Sequence, residues 1–243
     1  MLVATLGAGW AIGVDAASFG VSALLLYHLQ IQEQGQRQTD SVAADLVAGG
    51  RAFVSRHWLV SLVAQFSLFH LVVWAPLFVL GPLITEQRLG GAATWAAVMT
   101  VYGIGAILGG GLGIRLQPKR PLVIVSLLFI PQVLSLLALA TSSGSVVLSA
   151  ALLLAGIANG YMTTLWDTAL HVLVPSALLS RVSSYDWFAS MIFLPLGCYA
   201  LVGPVSAVLG PETTLWLAAG VQVLASLLSV TLISRRAIWG ATF

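Results

Sequence analysis

The side chains able to do chemistry in this chain are few, polar, and set inside apolar runs. Along residues 156–173, Asn159, Thr163, Trp166 and Leu170 fall on one narrow helical stripe, with Gly156, Gly160 and Asp167 beside it. Ala155, Ala158, Met162, Leu165, Ala169 and Val172 take the opposite side. One face then meets lipid, and the other meets protein or a watery path. Amide, hydroxyl and indole groups are costly in hydrocarbon unless bonded. The stripe therefore either lines a path for a solute or bonds to neighbouring helices. Upstream, Gln65, Phe69 and Pro76 form a second candidate stripe, with His70 and Trp74 to one side. His70 either exchanges protons near neutrality or is a hydrogen-bonded structural group.

Moving a solute against protons calls for a carboxyl group in an apolar setting that loads and releases a proton. Asp15 and Asp167 are the candidates for that role. Asp15 has Ser18 and Ser22 on its face, and its alternative is a locally hydrogen-bonded aspartate. Asp167 precedes His171 by one turn, so its alternative is an ion pair with His171 or Arg181. A third group, Arg115, Lys119, Arg120, Arg181 and Asp186, is expected at one membrane surface. It either anchors the topology or latches helices together in one of two states.

Covalent chemistry is not expected. The chain has no HExxH, no GxSxG, no paired-carboxylate motif and no glycine-rich phosphate loop, so it does not read as an enzyme. No cofactor or metal is called for. The single cysteine, Cys198, reads as a packing residue and excludes a CxxC site. A formal charge of +2 gives no reason to expect nucleic acid. A seven-span retinal receptor is disfavoured because no lysine lies within a span.

The elements that hold these groups must be membrane helices. Hydrophobic residues make up 59% of the chain and charged ones 7%, with a mean hydropathy of +1.00. Soluble domains carry roughly 25% charged residues, so this chain cannot cover a water-soluble fold. Several runs reach the roughly 20 residues that cross a hydrocarbon core, and the alternation of a membrane barrel is missing. The fold class is all-α: a polytopic helical membrane protein of about seven spans. These run at 8–29, 58–84 (broken by Pro76 and Pro82), 92–114, 121–140, 145–173, 185–209 and 213–233. The polar stretch after Pro175 is expected to be a connection. Domains follow as 1–29, a first span; 30–57, a polar linker whose second half reads as an interfacial helix; 58–234, a six-helix bundle; and 235–243, a tail.

Cations orient the bundle. With the linker in the cytoplasm, nine of the ten Lys and Arg residues lie inside and only Arg88 outside. The C-terminus is then cytoplasmic and Met1 outside. No basic leader precedes the first span. An odd number of spans starting outside makes this chain the expected back part of a longer one.

Gly105, Gly109 and Gly113 repeat a small-xxx-small spacing that brings helix backbones together, and Arg115, Leu116, Gln117, Pro118, Lys119, Arg120 and Pro121 follow. This stretch resembles the second-half copy of the signature loop of the major facilitator superfamily. Asn159-Gly160, Leu165-Trp166-Asp167-Thr168, Val174-Pro175 and Arg181-Val182-Ser183-Ser184 resemble the tenth helix and following loop of its bacterial drug-efflux and enterobactin-exporter branch. Trp10 with Asp15-Ala16-Ala17-Ser18-Phe19 resembles the start of the sixth helix, and Pro195-Leu196-Gly197 with Gly203-Pro204 the eleventh.

That resemblance covers nearly the whole chain and implies helices six to twelve of a partial major-facilitator fold in the plasma membrane of a bacterium. It implies alternating-access efflux of a small organic molecule, a drug or siderophore, by proton antiport, with the lipid bilayer, the solute and protons as partners. The family's substrate site lies between two six-helix halves, so an N-terminal half is expected in cis or in trans. The departure is the absence of helices one to five, with the fifth helix's glycine-proline motif. The competing expectation is a half-transporter that does not transport: a scaffold, a subunit of a split transporter, or a pseudogene product.

Overall fold

Turn-forming residues fix where each apolar run stops. In the computed structural model, which describes residues 8–28 and 42–235, Gly90 and Gly91 both take positive φ between two long helices. The Gly91 N–H returns to the Thr85 carbonyl at 2.9 Å and closes the helix end. Gly210 (φ +83°) does the same before Pro211, whose fixed φ suits a first helical position. At the other end, Pro121 and Pro175 punctuate the turns.

Among the described residues these stops define eight helices: α1 (Ala8–His28), α2 (Val42–Val54), α3 (His57–Arg88), α4 (Ala92–Arg115), α5 (Pro121–Ala140), α6 (Ser145–Leu173), α7 (Ser176–Leu209) and α8 (Pro211–Arg235). No strand occurs among the described residues. Six of the helices, α3 to α8, are long and apolar enough to cross a membrane. The protein is thus an all-α, polytopic membrane protein; among the described residues six helices are that long, where about seven spans were expected. The apolar part of α1, Ile12–His28, is shorter.

The chain divides into two bodies, Met1–Ala44 and Asp45–Phe243. In the first, α1 is largely apolar apart from Asp15, Ser18 and Ser22, and Trp10, Phe19 and Tyr27 are exposed. In the second, α2 from Asp45 onward packs against the start of α7. Gly49 lies against the Arg181 Cβ and the Tyr185 ring, and the Tyr185 hydroxyl donates to the Leu46 carbonyl at 2.9 Å. The linker's second half therefore belongs to the bundle. Arg37, Asp40, Arg236 and the remaining tail lie outside the described residues.

Two long helices correct their sequence readings. α3 is continuous through Pro76 and Pro82, because it widens into a π-turn at His70–Trp74. There the Ala75 N–H reaches back five residues to the His70 carbonyl, and the extra room absorbs the ring of Pro76. α7 begins at Ser176, so the polar stretch carrying Arg181 is helical rather than a connection. Val182 and Asp186, one turn apart on it, are both buried. α7 has its own π-turn at Gly197–Leu201, and Gly197 packs directly on Leu71 and Ala75 beside the first. Cys198, in the same turn, is half-buried.

α4 and α6 share the closest seam in the bundle. A Cβ on Gly105 would meet the Leu153 carbonyl, one on Gly109 the Ile157 carbonyl, and one on Gly113 the Thr164 side chain. From the facing side, Gly156 abuts the Tyr102 carbonyl and Gly160 the Ala106 carbonyl. The apolar side of α6 is not its lipid side: Ala155, Ala158, Met162, Leu165 and Ala169 are buried within the bundle, and only Val172 is exposed.

Connections on alternate sides bring like ends together. Arg88, Ser142 and Glu212 come from three turns at one end, where the Arg88 guanidinium donates to both Glu212 and Ser142. Arg56, Arg115, Lys119, Arg120 and Arg181 mark the opposite end. Side chains of the Arg88–Glu212 pair are about half exposed, at 50% and 52%. Such pairs contribute at most about 1 kcal/mol. Arg88→Ala is therefore expected to leave thermal unfolding in detergent within a few degrees of the parent. A larger drop would mean that this end is held by that pair.

Candidate functional site

Burial separates the polar residues into three groups. The first joins α6 to α7. Trp166 turns inward, 5% exposed, and its indole Nε1 donates to Asp186 Oδ2 at 2.9 Å. Asp186 is 6% exposed and also accepts from the Ser190 hydroxyl at 3.4 Å. Behind it, the Ser67 hydroxyl donates to the Ala189 carbonyl at 2.7 Å, tying α3 to α7. Trp166 lies against Phe66 (centroids 5.3 Å) and Trp58 (6.1 Å). From Phe66 an aromatic spine continues through Phe129, Phe69 and Trp74 to Tyr102.

A carboxyl group inside a membrane helix bundle is a functional candidate in itself, because it is expensive to keep there. The donors around Asp186 suit both of its protonation states. The indole N–H can only donate, so it favours an unprotonated Oδ2. The Ser190 hydroxyl can donate to a carboxylate or accept from a carboxylic acid, so Oδ1 can gain a proton without losing its partner.

The second group is the outward side of α6. Asn159 is half-buried, Thr163 and Asp167 are exposed, and successive members are four residues apart. The predicted stripe thus divides: Asn159 and Thr163 stay on it, Trp166 leaves it for the interior, and Asp167 joins it. The Thr163 hydroxyl donates to the Asn159 carbonyl at 2.9 Å. Among the described residues no close ion pair joins His171 to the Asp167 carboxylate, although the two lie near enough for their charges to interact. The His171 Nδ1 lies 2.8 Å from the Asp167 backbone carbonyl, as helical geometry at four residues' spacing allows.

The third group is an internal polar seam between α3, α5 and α8. Gln65 Nε2 donates to the Ser126 carbonyl and the Ser226 hydroxyl, both at 3.1 Å. Ser126 and Ser229 hydroxyls lie 3.2 Å apart, and Gln222 Nε2 reaches Ser226 at 3.4 Å. Gln65 is thus an interhelical tie, and Phe69, its companion on the predicted stripe, packs its ring against Phe129. His70 is buried, with Nδ1 bonded to the Phe66 carbonyl at 2.8 Å and its ring against Trp74.

The remaining predicted residues are dispersed. Asp15 belongs to the other body, on α1, where it is exposed and its carbonyl accepts from Ser18 at 2.7 Å. Gly105, Gly109 and Gly113 serve the α4–α6 seam. Arg115, Lys119 and Arg120 are exposed and Arg181 is half-buried. Asp186 leaves this charged set, because α7 carries it into the interior with Trp166. The signal for that was present as Val182 and Asp186, one turn apart. The signal for the internal seam was Gln222, Ser226 and Ser229 on one face of an apolar run. The two π-turns had only nearby prolines to announce them.

Compared with protein-family models, curated proteins and solved structures, the chain matches none.

Proposed function

We propose that this protein is a membrane transporter of the major facilitator type, exporting small organic molecules by alternating access coupled to proton antiport. On this reading Asp186 is the proton-exchanging carboxyl group, replacing Asp15 and Asp167 in that role. Asn159, Thr163 and Asp167 face the solute path. The observation that carries the proposal is a buried carboxylate bridged to Trp166 across two membrane helices, beside an outward polar stripe. A polar stripe against lipid would be costly. A second helical bundle, in the same polypeptide or a separate one, covers it and completes the path. The cation-rich end lies in the cytoplasm of a bacterial cell, following the positive-inside rule.

Inverted membrane vesicles from cells expressing the protein from its own locus test this. Fluorescent amphiphiles are expected to accumulate only while the vesicle interior is acid, and collapse of the gradient releases them. Asp186→Asn keeps an acceptor for Trp166 but cannot exchange a proton. It is expected to abolish the gradient-driven component and to spare solute counterflow. Accumulation that survives gradient collapse would remove proton antiport. Gradient coupling unchanged in Asp186→Asn would remove Asp186 from the mechanism.

A further inference from the structure

Between the first turns of α3 and the last turns of α8 lies a cavity of about 650 Å³, which borders the Asp186 site through Trp58, the ring packed on Trp166. Val60, Ala64 and Leu68 line it at four-residue spacing, an apolar strip about 12 Å long on α3. Leu228 and Leu232 of α8 form the facing rim and are 65% and 50% exposed, so the groove opens sideways between apolar side chains. Gln65 and Ser229 close its inner wall, and both are bonded into the serine–glutamine seam behind it.

One end of this apolar slot is cationic. Ser55, Arg56 and His57 line it at the end of the bundle where the other arginines gather. Arg56 is half-buried, and its Nη1 donates to the Ala52 carbonyl at 2.6 Å. No carboxylate pairs with it among the described residues. A guanidinium has five N–H donors, and its fork matches a phosphate. A membrane-side apolar slot with an arginine at its mouth is complementary to one kind of amphiphile. We propose that the groove holds an acyl chain of an anionic phospholipid, with the lipid phosphate on Arg56. This inference does not depend on transport, and its test reads lipid rather than solute.

The purified protein is placed in nanodiscs containing phosphatidylglycerol or phosphatidylcholine whose acyl chains carry a photoreactive group, and crosslinks are mapped by mass spectrometry. Crosslinks are expected within residues 57–68 and 225–233, roughly fivefold more with phosphatidylglycerol. Arg56→Gln brings that ratio to about one at unchanged helicity, and excess inorganic phosphate does not displace the lipid. Ala64→Phe fills the groove and removes both lipids; should it not fold, the crosslink map of the parent protein still decides. Equal labelling by the two lipids, a ratio unmoved in Arg56→Gln, displacement by free phosphate, crosslinks mapping elsewhere, or occupation by a segment of the chain itself would each overturn the proposal.

Discussion

Gly109→Val is expected to abolish the folded bundle, while Gly111→Ala, two residues away, leaves it intact or slightly more stable. Between α4 and α6 the contact at Gly109 is backbone on backbone, and the first side-chain carbon would fall on the Ile157 carbonyl. Neither helix can yield locally, because the same two helices also meet at Gly105, Gly156 and Gly160. Overpacking a core site costs about 1–3 kcal/mol when side chains can move. Here there are no side chains to move, so a loss above about 3 kcal/mol is expected. Around Gly111 a Cβ meets nothing within 4 Å, and alanine improves helix propensity by up to about 1 kcal/mol. Thermal unfolding of the purified variants in one detergent gives the comparison. If Gly109→Val melts within a degree or two of the parent, the helices do not approach as closely as described. Gly113→Ala should fall between the two, since its nearest obstacle is Thr164 Cβ, at 2.5 Å, which side-chain rotation cannot move, rather than a backbone carbonyl.

The second large effect concerns Trp166→Phe, which keeps most of the ring but removes the donor to Asp186 Oδ2. The buried carboxyl then has Ser190 alone. Taking one donor from a buried carboxyl group costs about 1–3 kcal/mol, toward the upper end for a group this well buried. Asp186→Leu in the same background should recover much of that loss, because the orphaned group is itself gone. A double-mutant cycle read by thermal unfolding therefore gives strong coupling between positions 166 and 186. Additive losses would mean that the indole contributes by packing on Trp58 and Phe66 rather than through its N–H.

Span positions and most helix ends were legible in the sequence, because hydrocarbon length and the backbone limits of glycine and proline are local properties. The glycine seam was legible for the same reason: Gly105, Gly109 and Gly113 sit on one face, and nothing bulky shares it. What each face meets was not legible. Met162 and Leu165 suit a lipid tail as well as a protein core, since membrane interiors supply no hydrophobic contrast between the two. Serine and arginine at 180–184 look like a surface connection by composition. Only the packing of Val182 and Asp186 against other helices reveals that α7 continues through them. The partners of Gln65 were hidden in the same way: Ser126 and Ser226 are 61 and 161 residues away in sequence.

Each π-turn acts as an insertion of one residue, and the two insertions are side by side. One extra residue advances a helix by about 100°, more than a quarter of a revolution. The half of α3 before His70 and the half after Trp74 are thus out of phase with a single unbroken helical repeat. Before the insertion Gln65 and Phe69 face α5 and α8, and after it Leu80 and Ile84 are buried. α7 changes phase at the same depth, where Gly197 touches Leu71 and Ala75. Two continuous rods thereby serve two layers of neighbours, each layer with its own rotational setting, and the boundary between the layers runs through the contact of the two insertions.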